Sequence, residues 1–311
     1  MRFRSAIALA AVVTAAAAFG SAGAGAPTRL AWAPPALSNP ITVEVTNANR
    51  RLFLDNGHDY RLRIVEPLRR ELWIEGGRNV VVVGGHITVD ELGTSSPYQD
   101  NTGVKVRFGD PAGTVHLEGL LVDGAHLSDG IAIATARDVQ IQNVRVERAY
   151  DNVKTAHADC VQIQQGVADL RIDRFTCSTQ RQGIFLGDNG GAIRSVDLRR
   201  VNMLGAPGTH LLWQTTASFD IAVSDVWLGT APDYRAWAPF GFWVYPQRDG
   251  KTYVGNVDRR RRAVVSRDGK RLWFVGSRIS GVVRRAAPGA GDFVKADAVG
   301  MSYASPGYAR R

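Results

Sequence analysis

Three observations predict that this chain is all-β and wound as a parallel β-helix, a solenoid of stacked coils. An apolar-x-apolar-x-x-apolar-x-apolar pattern starts at Val115, Val139, Leu170, Val196 and Ile221, in steps of 24, 31, 26 and 25 residues. A third short apolar segment follows the first four units, at 131–133, 161–163, 184–186 and 211–213. The connections between these segments are short and rich in Gly, Asp and Asn, with no room for the helices of a doubly wound fold. Alternation at every second position sends the apolar side chains to one face. A period near 25 with three short strands per period is how coils stack like upon like.

The elements follow in chain order. Met1-Arg2-Phe3-Arg4, an Ala/Val-rich run to Phe19 and the small residues Ser21-Ala22-Gly23-Ala24-Gly25-Ala26 form the basic, apolar and cleavage regions of a signal peptide. Residues 1–24 are assigned to it, with cleavage after Ala24 or Ala26. The run is short for a span of about 20 residues, so a soluble secreted or periplasmic protein is expected, with no membrane association after cleavage. Residues 25–78 are read as an N-terminal cap region with a strand at 41–45. Residues 79–230 form the β-helix core, in which Val80-x-Val82-x-x-Gly85-x-Ile87 is a looser unit, and 90–101 is a surface loop. Residues 231–311 supply aromatic and basic C-terminal coils and a cap of the same domain. An uncovered β-helix end would expose strand edges and apolar core.

Composition narrows the function classes. Hydrophobic residues make up 45% and charged residues 22%, which is globular. The 33 glycines suit a fold with many tight turns. The net charge of +9 is concentrated between Lys251 and Arg285, where eleven Lys/Arg face two acids, whereas Thr114 to Trp213 holds ten basic and eleven acidic residues. No zinc, RNA-binding or helix-turn-helix pattern accompanies Arg259-Arg260-Arg261-Arg262, so that run reads as a solvated loop and no nucleic-acid partner is expected. An oxidising compartment would permit a Cys160–Cys177 disulfide. The repeat register equates Cys177 with the core positions Val122, Val146, Met203 and Leu228. It equates Cys160 with Gly130 and Gly183, assigned to the opposite face, so two separate thiols are expected.

Candidate chemistry gathers at the third strand. The longest connection between second and third strands, from Val146 to Val161, carries Tyr150, Asp151, Asn152, Lys154 and His157, and long loops on rigid scaffolds tend to carry function. Stacking at about 4.8 Å per coil aligns Asp129, Asp159 and Gln182, with Arg181 in the preceding column. Gln162 and Gln164 point outward, and Asp188 and Asn189 follow the next strand. Asp129 and Asp159 repel unless a proton, a cation or Arg181 relieves them. They also suit a ladder of turn aspartates bonded to backbone.

Three chemistries fit. In β-elimination on a uronate polysaccharide, His157 or Lys154 is the base, Tyr150 the acid, and Arg181, Gln162 and Gln164 hold the substrate carboxylate. Gln182, Asp188, Asn189 and Asp129 extend the substrate-binding wall, with Asp159 in the catalytic set. In glycoside hydrolysis, Asp129 and Asp159 stand near the retaining separation, and Asp159 with Asp188 or Asp151 at a wider one. In non-catalytic glycan binding, Asp129, Asp159 and Asp188 are candidate ligands for Ca2+; no cofactor is required by the sequence. Gly-x-Ser-x-Gly and His-Glu-x-x-His are both missing, which leaves serine-hydrolase and zincin chemistry unsupported.

The repeats, leader and polar face resemble the right-handed parallel β-helix superfamily, the pectate lyase-like fold, over 78–229. Asn79-Val80-Val81-Val82-Val83-Gly84-Gly85-His86-Ile87 is similar to the leading-coil signature of such proteins. Asp159-Cys160-Val161 resembles the Asp-Asp-Cys-Val/Ile element of polygalacturonases, although position 158 is Ala and their Gly-His-Gly and Arg-Ile-Lys elements are missing. The resemblance implies right-handed winding and a polysaccharide partner. The expectation carried forward is an exported polysaccharide lyase, with a glycoside hydrolase or a glycan-binding protein as alternatives.

Overall fold

The computed structural model describes residues 29–91, 101–150, 158–187, 191–205, 210–214, 219–230 and 287–308, and four short strands at 242–243, 263–265, 272–274 and 282–284. Two parallel sheets run the length of the molecule. The odd-numbered strands form one sheet: β1 (Ile41–Val45), β3 (Tyr60–Ile64), β5 (Val80–Thr88), β7 (Thr114–Asp123), β9 (Asp138–Ala149), β11 (Val167–Thr179), β13 (Ile193–Gly205) and β15 (Asp220–Thr230). The even-numbered strands form the other: β2 (Arg51–Leu54), β4 (Leu72–Gly76), β6 (Thr102–Arg107), β8 (Asp129–Ala134), β10 (Asp159–Ile163), β12 (Gln182–Leu186) and β14 (His210–Gln214). The short strands at 282–284 and 242–243 extend the odd and even sheets respectively. Each coil contributes one strand to each sheet, the pairing of a parallel β-helix. Among the described residues no helix is long and apolar enough to cross a membrane.

The repeat register is the pairing register. Val82, Leu117, Ile141, Ile172, Leu198 and Val223 follow one another from strand to strand, and all six are buried. Full burial of each such side chain contributes about 1.5–3 kcal/mol. The two-residue bend falls inside each long odd strand. Its second residue is left-handed in six successive coils: Gly84 (φ 66°), Gly119 (70°), Asn143 (52°), Arg174 (51°), Arg200 (47°) and Asp225 (58°). Gly and Asn adopt this conformation readily, whereas arginine does so at a cost. Both arginines are tied down there. The Arg174 Nε donates to Asn143 Oδ1 at 2.9 Å, and the Arg200 guanidinium makes a two-pronged pair with Asp173.

The regular coils begin earlier than the repeat pattern does. β1 to β4 pair in the same two sheets as the later strands, so 41–76 are helix coils rather than a separate cap. These strands alternate as the later ones do, with Tyr60, Leu62 and Ile64 buried, but at four or five residues they stop before the two-residue bend that completes the later units. The tail also departs from expectation. Residues 292–308 do not sit over an end; they run along the bends of the odd sheet. Arg145 and Asn202 hold Asp292 at 2.7 and 2.8 Å, and the Val294 amide donates to Thr176 Oγ1. Tyr303 packs on Gly119, where a Cβ would lie 2.0 Å from its ring. Its hydroxyl donates to Glu118 and accepts from Asn143. Burial and the Glu118 charge hold that hydroxyl protonated, with its pKa raised above the usual tyrosine value. The N-terminal segment lies alongside: Gln142 bonds the backbone of Ala31 and Trp32, and Tyr308 donates to the Pro35 carbonyl.

The expectation of two free thiols is overturned, because Cys160 and Cys177 form a disulfide, with Cα atoms 6.2 Å apart. The face assigned to Cys160 was wrong for a physical reason. At Gly103, Gly130 and Gly183, the equivalent positions, an added Cβ would meet Val122, Val146 and Met203 at 2.2–2.7 Å. This column therefore points into the core at the Cys177 column, and only glycine fits unless the two side chains are bonded.

Cys160→Gly with Cys177→Val and Cys160→Ala with Cys177 retained both lose the cross-link, about 3 kcal/mol for a 17-residue loop. The first restores the Gly–Val pairing of the neighbouring coil, Gly130 with Val146, and should melt higher than the second, whose Cβ stays against the Cys177 side chain; thermal melts of both variants check this. Asp59 is lowered from 3.8 to about 2, chiefly by the Arg78 side chain and also by the Ser38 and Asn79 amides, against the opposing effect of burial. A depressed carboxylate stabilises the fold above its unfolded pKa and loses that contribution as pH falls through the folded value. Melting temperatures between pH 4 and pH 2 should therefore fall less steeply in Asp59→Asn than in the parent.

Candidate functional site

The even sheet brings part of the predicted wall together, and its aspartates serve the backbone. Asp159 pairs in register with Gln182, and Gln162 stands between Ala132 and Phe185. The Asp159 amide donates to Asp129 Oδ1 at 3.1 Å. Asp159 is fully buried and Gln182 nearly so. This is the turn-aspartate ladder, with one carboxylate accepting the next coil's backbone N–H. Gln164 Nε2 donates to Gln162 Oε1 at 3.1 Å, so these two amides are neighbours on one strand. The Arg181 amide donates to Thr179 Oγ1 at the turn before β12. His157, Lys154, Asp151, Asp188 and Asn189 lie outside the described residues. Among the described residues no group of three or more His, Cys, Asp or Glu stands close enough to hold a metal ion.

Tyr150, by contrast, lines a cleft of about 600 Å³ with His86, Thr88, Asp90, Asp123, Gly124, Ala125 and Arg148. The cleft lies where the odd strands end and the chain crosses toward the even sheet. Three successive coils build it. β5 supplies His86 and Thr88, β7 ends at Asp123, and β9 carries Arg148 and leads to Tyr150. Thr88 and Asp123 are register partners. His86, two residues before Thr88, shares its outward face. The diagonal brings His86 Nε2 to 2.8 Å from Asp123 Oδ1. Both side chains are about a quarter exposed, so the pair is held by the sheet yet open to the cleft.

The rim is fixed by polar contacts. Asp90 accepts from Thr88 Oγ1 at 2.5 Å and from the Ala125 amide at 3.3 Å. The Thr88 hydroxyl is the chief reason its carboxyl titrates below the usual range, so Asp90 is ionised at neutral pH. Arg148 has a left-handed backbone (φ 56°), and its amide donates to Ser178 Oγ at 2.8 Å. Tyr150 is tied by its amide to the Leu127 carbonyl, and its side chain is 44% exposed. The left-handed Arg148 lies in a β-bulge, where β9 has one residue more than β11 between the Val146–Cys177 and Ala149–Thr179 pairs.

Of the residues singled out in the sequence, the cleft contains Tyr150, while Asp129, Asp159, Gln162, Gln164, Gln182 and Arg181 belong to the even-sheet wall and the turns beside it. His86, Asp123, Asp90 and Arg148 were missed. His86 occupies the variable position of Gly85-x-Ile87, and Asp123 directly follows Val122, the last apolar residue of its unit. The repeat therefore did carry their alignment.

No family model, curated protein or solved structure matches the chain.

The ladder and the cleft separate by mutation. Asp129→Ala removes the acceptor of the Asp159 amide and should destabilise the protein by about 1–3 kcal/mol in chemical denaturation. The cleft's chemistry should be unchanged in the surviving folded protein.

Proposed function

We propose that this protein is an exported polysaccharide lyase that cleaves a uronate-containing chain by β-elimination in the His86–Asp123 cleft. The hydrogen-bonded His86–Asp123 pair, opening beside Tyr150 and Arg148, carries the reading. Export is supported by the N-terminal leader pattern and by a core disulfide, a bond that persists in oxidising compartments.

The proposed roles follow from the groups. An ionised carboxylate only accepts hydrogen bonds, so Nε2 of His86 carries the proton shared with Asp123 and Nδ1 keeps its lone pair. Nδ1 takes the proton from the carbon beside the substrate carboxylate. The Arg148 guanidinium offsets the negative charge that spreads onto that carboxylate. As the glycosidic C–O bond breaks, the Tyr150 hydroxyl gives its proton to the departing oxygen, and a carbon–carbon double bond forms in the sugar left behind. Asp123 orients the imidazole and stabilises the imidazolium produced.

Polyuronates incubated with the protein should gain the ultraviolet absorbance of an unsaturated uronate. His86→Ala and Tyr150→Phe should each reduce that rate by about 10²-fold or more while leaving the melting temperature in place. New reducing ends without the absorbance would contradict elimination and favour hydrolysis by Asp90 and Asp123. Retention of a glycan without either product would favour a binding protein.

A further inference from the structure

The outer face of the first three even strands carries a second cluster that the cleft does not use. β2 presents Arg51 and Phe53, β4 presents Trp73 and Glu75, and β6 presents Lys105 and Arg107, in register across the sheet. Phe108 follows at once. Three cations surround the Trp73 ring: Arg51 at 5.5 Å, Lys105 at 5.2 Å and Arg107 at 5.1 Å from its centroid. The Arg107 guanidinium also lies 4.7 Å from the Phe108 ring, and among the described residues no carboxylate pairs with it. Arg51 by contrast reaches the buried Glu71, and Glu75 accepts from the Trp73 indole.

Two features resist a purely structural explanation. Phe53 is 74% exposed and Phe108 49% exposed, on a sheet whose inner face already has a continuous apolar core. Exposed rings grouped on a rigid surface mark an interaction site more often than a lone one does. Phe108 is moreover held in the left-handed conformation (φ 47°), rare for a bulky residue. It is pinned there by its amide on the Ala134 carbonyl and by the Thr135 hydroxyl on its own carbonyl. Immediately behind it, Gly109 leaves room for the buried Arg137, whose guanidinium would lie 2.3 Å from a Cβ there. Arg137 donates to the carbonyls of Gly76 and Gly77, so the turn that presents Phe108 is anchored to β4 and the turn after it.

We propose that this face is an accessory binding site for an anionic polysaccharide. The sugar rings pack on the exposed Phe53 and Phe108, and a uronate carboxylate meets Arg107 between them. Rigid strands at a spacing of about 4.8 Å present these groups as an extended row rather than a pocket, which suits a polymer and not a small ligand. The choice of a uronate chain rests on the lyase reading, whereas the cation–aromatic geometry stands without it.

Affinity electrophoresis of the full chain tests this, using polygalacturonate, a neutral glucan and a single-stranded oligonucleotide as probes. The cleft variant Tyr150→Phe serves as the parent, so that turnover does not consume the polymer. Polygalacturonate should retard that parent, and Phe53→Ser with Arg107→Ala should weaken the retardation by about tenfold at an unchanged melting temperature. Neutral glucan should retard neither. In the catalytically intact chain the same pair of substitutions should raise KM for the polymer and leave turnover of short oligouronides as it was. Equal retardation of parent and variant by polygalacturonate overturns the site, and stronger retardation by the oligonucleotide overturns its ligand. Loss of elimination with retained, Arg107-dependent retardation would overturn the lyase reading alone.

Discussion

Everything in this molecule depends on successive coils stacking in parallel and in register. Parallel strands satisfy their backbone groups only by pairing with the coil before and the coil after. Each coil must therefore repeat the path of its neighbour through the sheets, and length can vary only in the connections. That constraint explains the left-handed residue at every bend from Gly84 to Asp225. It also explains the column Gly103, Gly130, Cys160 and Gly183, where the backbone runs so close to the facing core residues that a side chain has no room of its own. Cys160 is the exception that obeys the rule: its side chain is tolerated because it is bonded to the residue it would otherwise strike.

The same stacking sorts polar side chains into structural and chemical groups by exposure. Where a column is sealed, its polar members serve the backbone or one another. Asp129 accepts the Asp159 amide, Asp59 gathers donors from Ser38, Arg78 and Asn79, and the buried His116 and Glu118 pair beneath the terminal segments. Where a column ends at an open connection, comparable residues face solvent with their geometry still fixed by the sheet. His86 and Asp123 are such a pair. Catalytic groups need this combination, since a base must be both positioned and reachable.

How much of this was legible in the sequence follows from the same logic. Alternation and the 25-residue step give the strands, the two-residue bend and the register, because core columns such as Leu117–Ile141–Ile172 must be apolar in every coil. The outward column Ala132–Gln162–Phe185 also follows from that register. The first two coils escaped because β1 to β4 are only four or five residues long and stop before the two-residue bend, so the full pattern is missing there. The facing of Cys160 escaped because strict alternation fails at the start of the strand, where Cys160 and the next residue, Val161, are both buried. Asp159 drew notice as a carboxylate in a dense polar stretch, yet local sequence does not encode that its coil is sealed. His86 and Asp123 lie 37 residues apart, and each looks ordinary alone. Only the diagonal across two strands makes them a pair. The terminal segments along the odd sheet carry no repeat, and nothing local in them specifies where they dock.

The central claim is that stacking couples His86 to Asp123 as one chemical unit. A double-mutant cycle on kcat/KM for polyuronate cleavage, with His86→Ala, Asp123→Asn and the two combined, measures that coupling directly. The account predicts that the double variant is no slower than His86→Ala alone, because an orienting carboxylate has nothing left to orient. Independent losses that multiply in the double variant would contradict it.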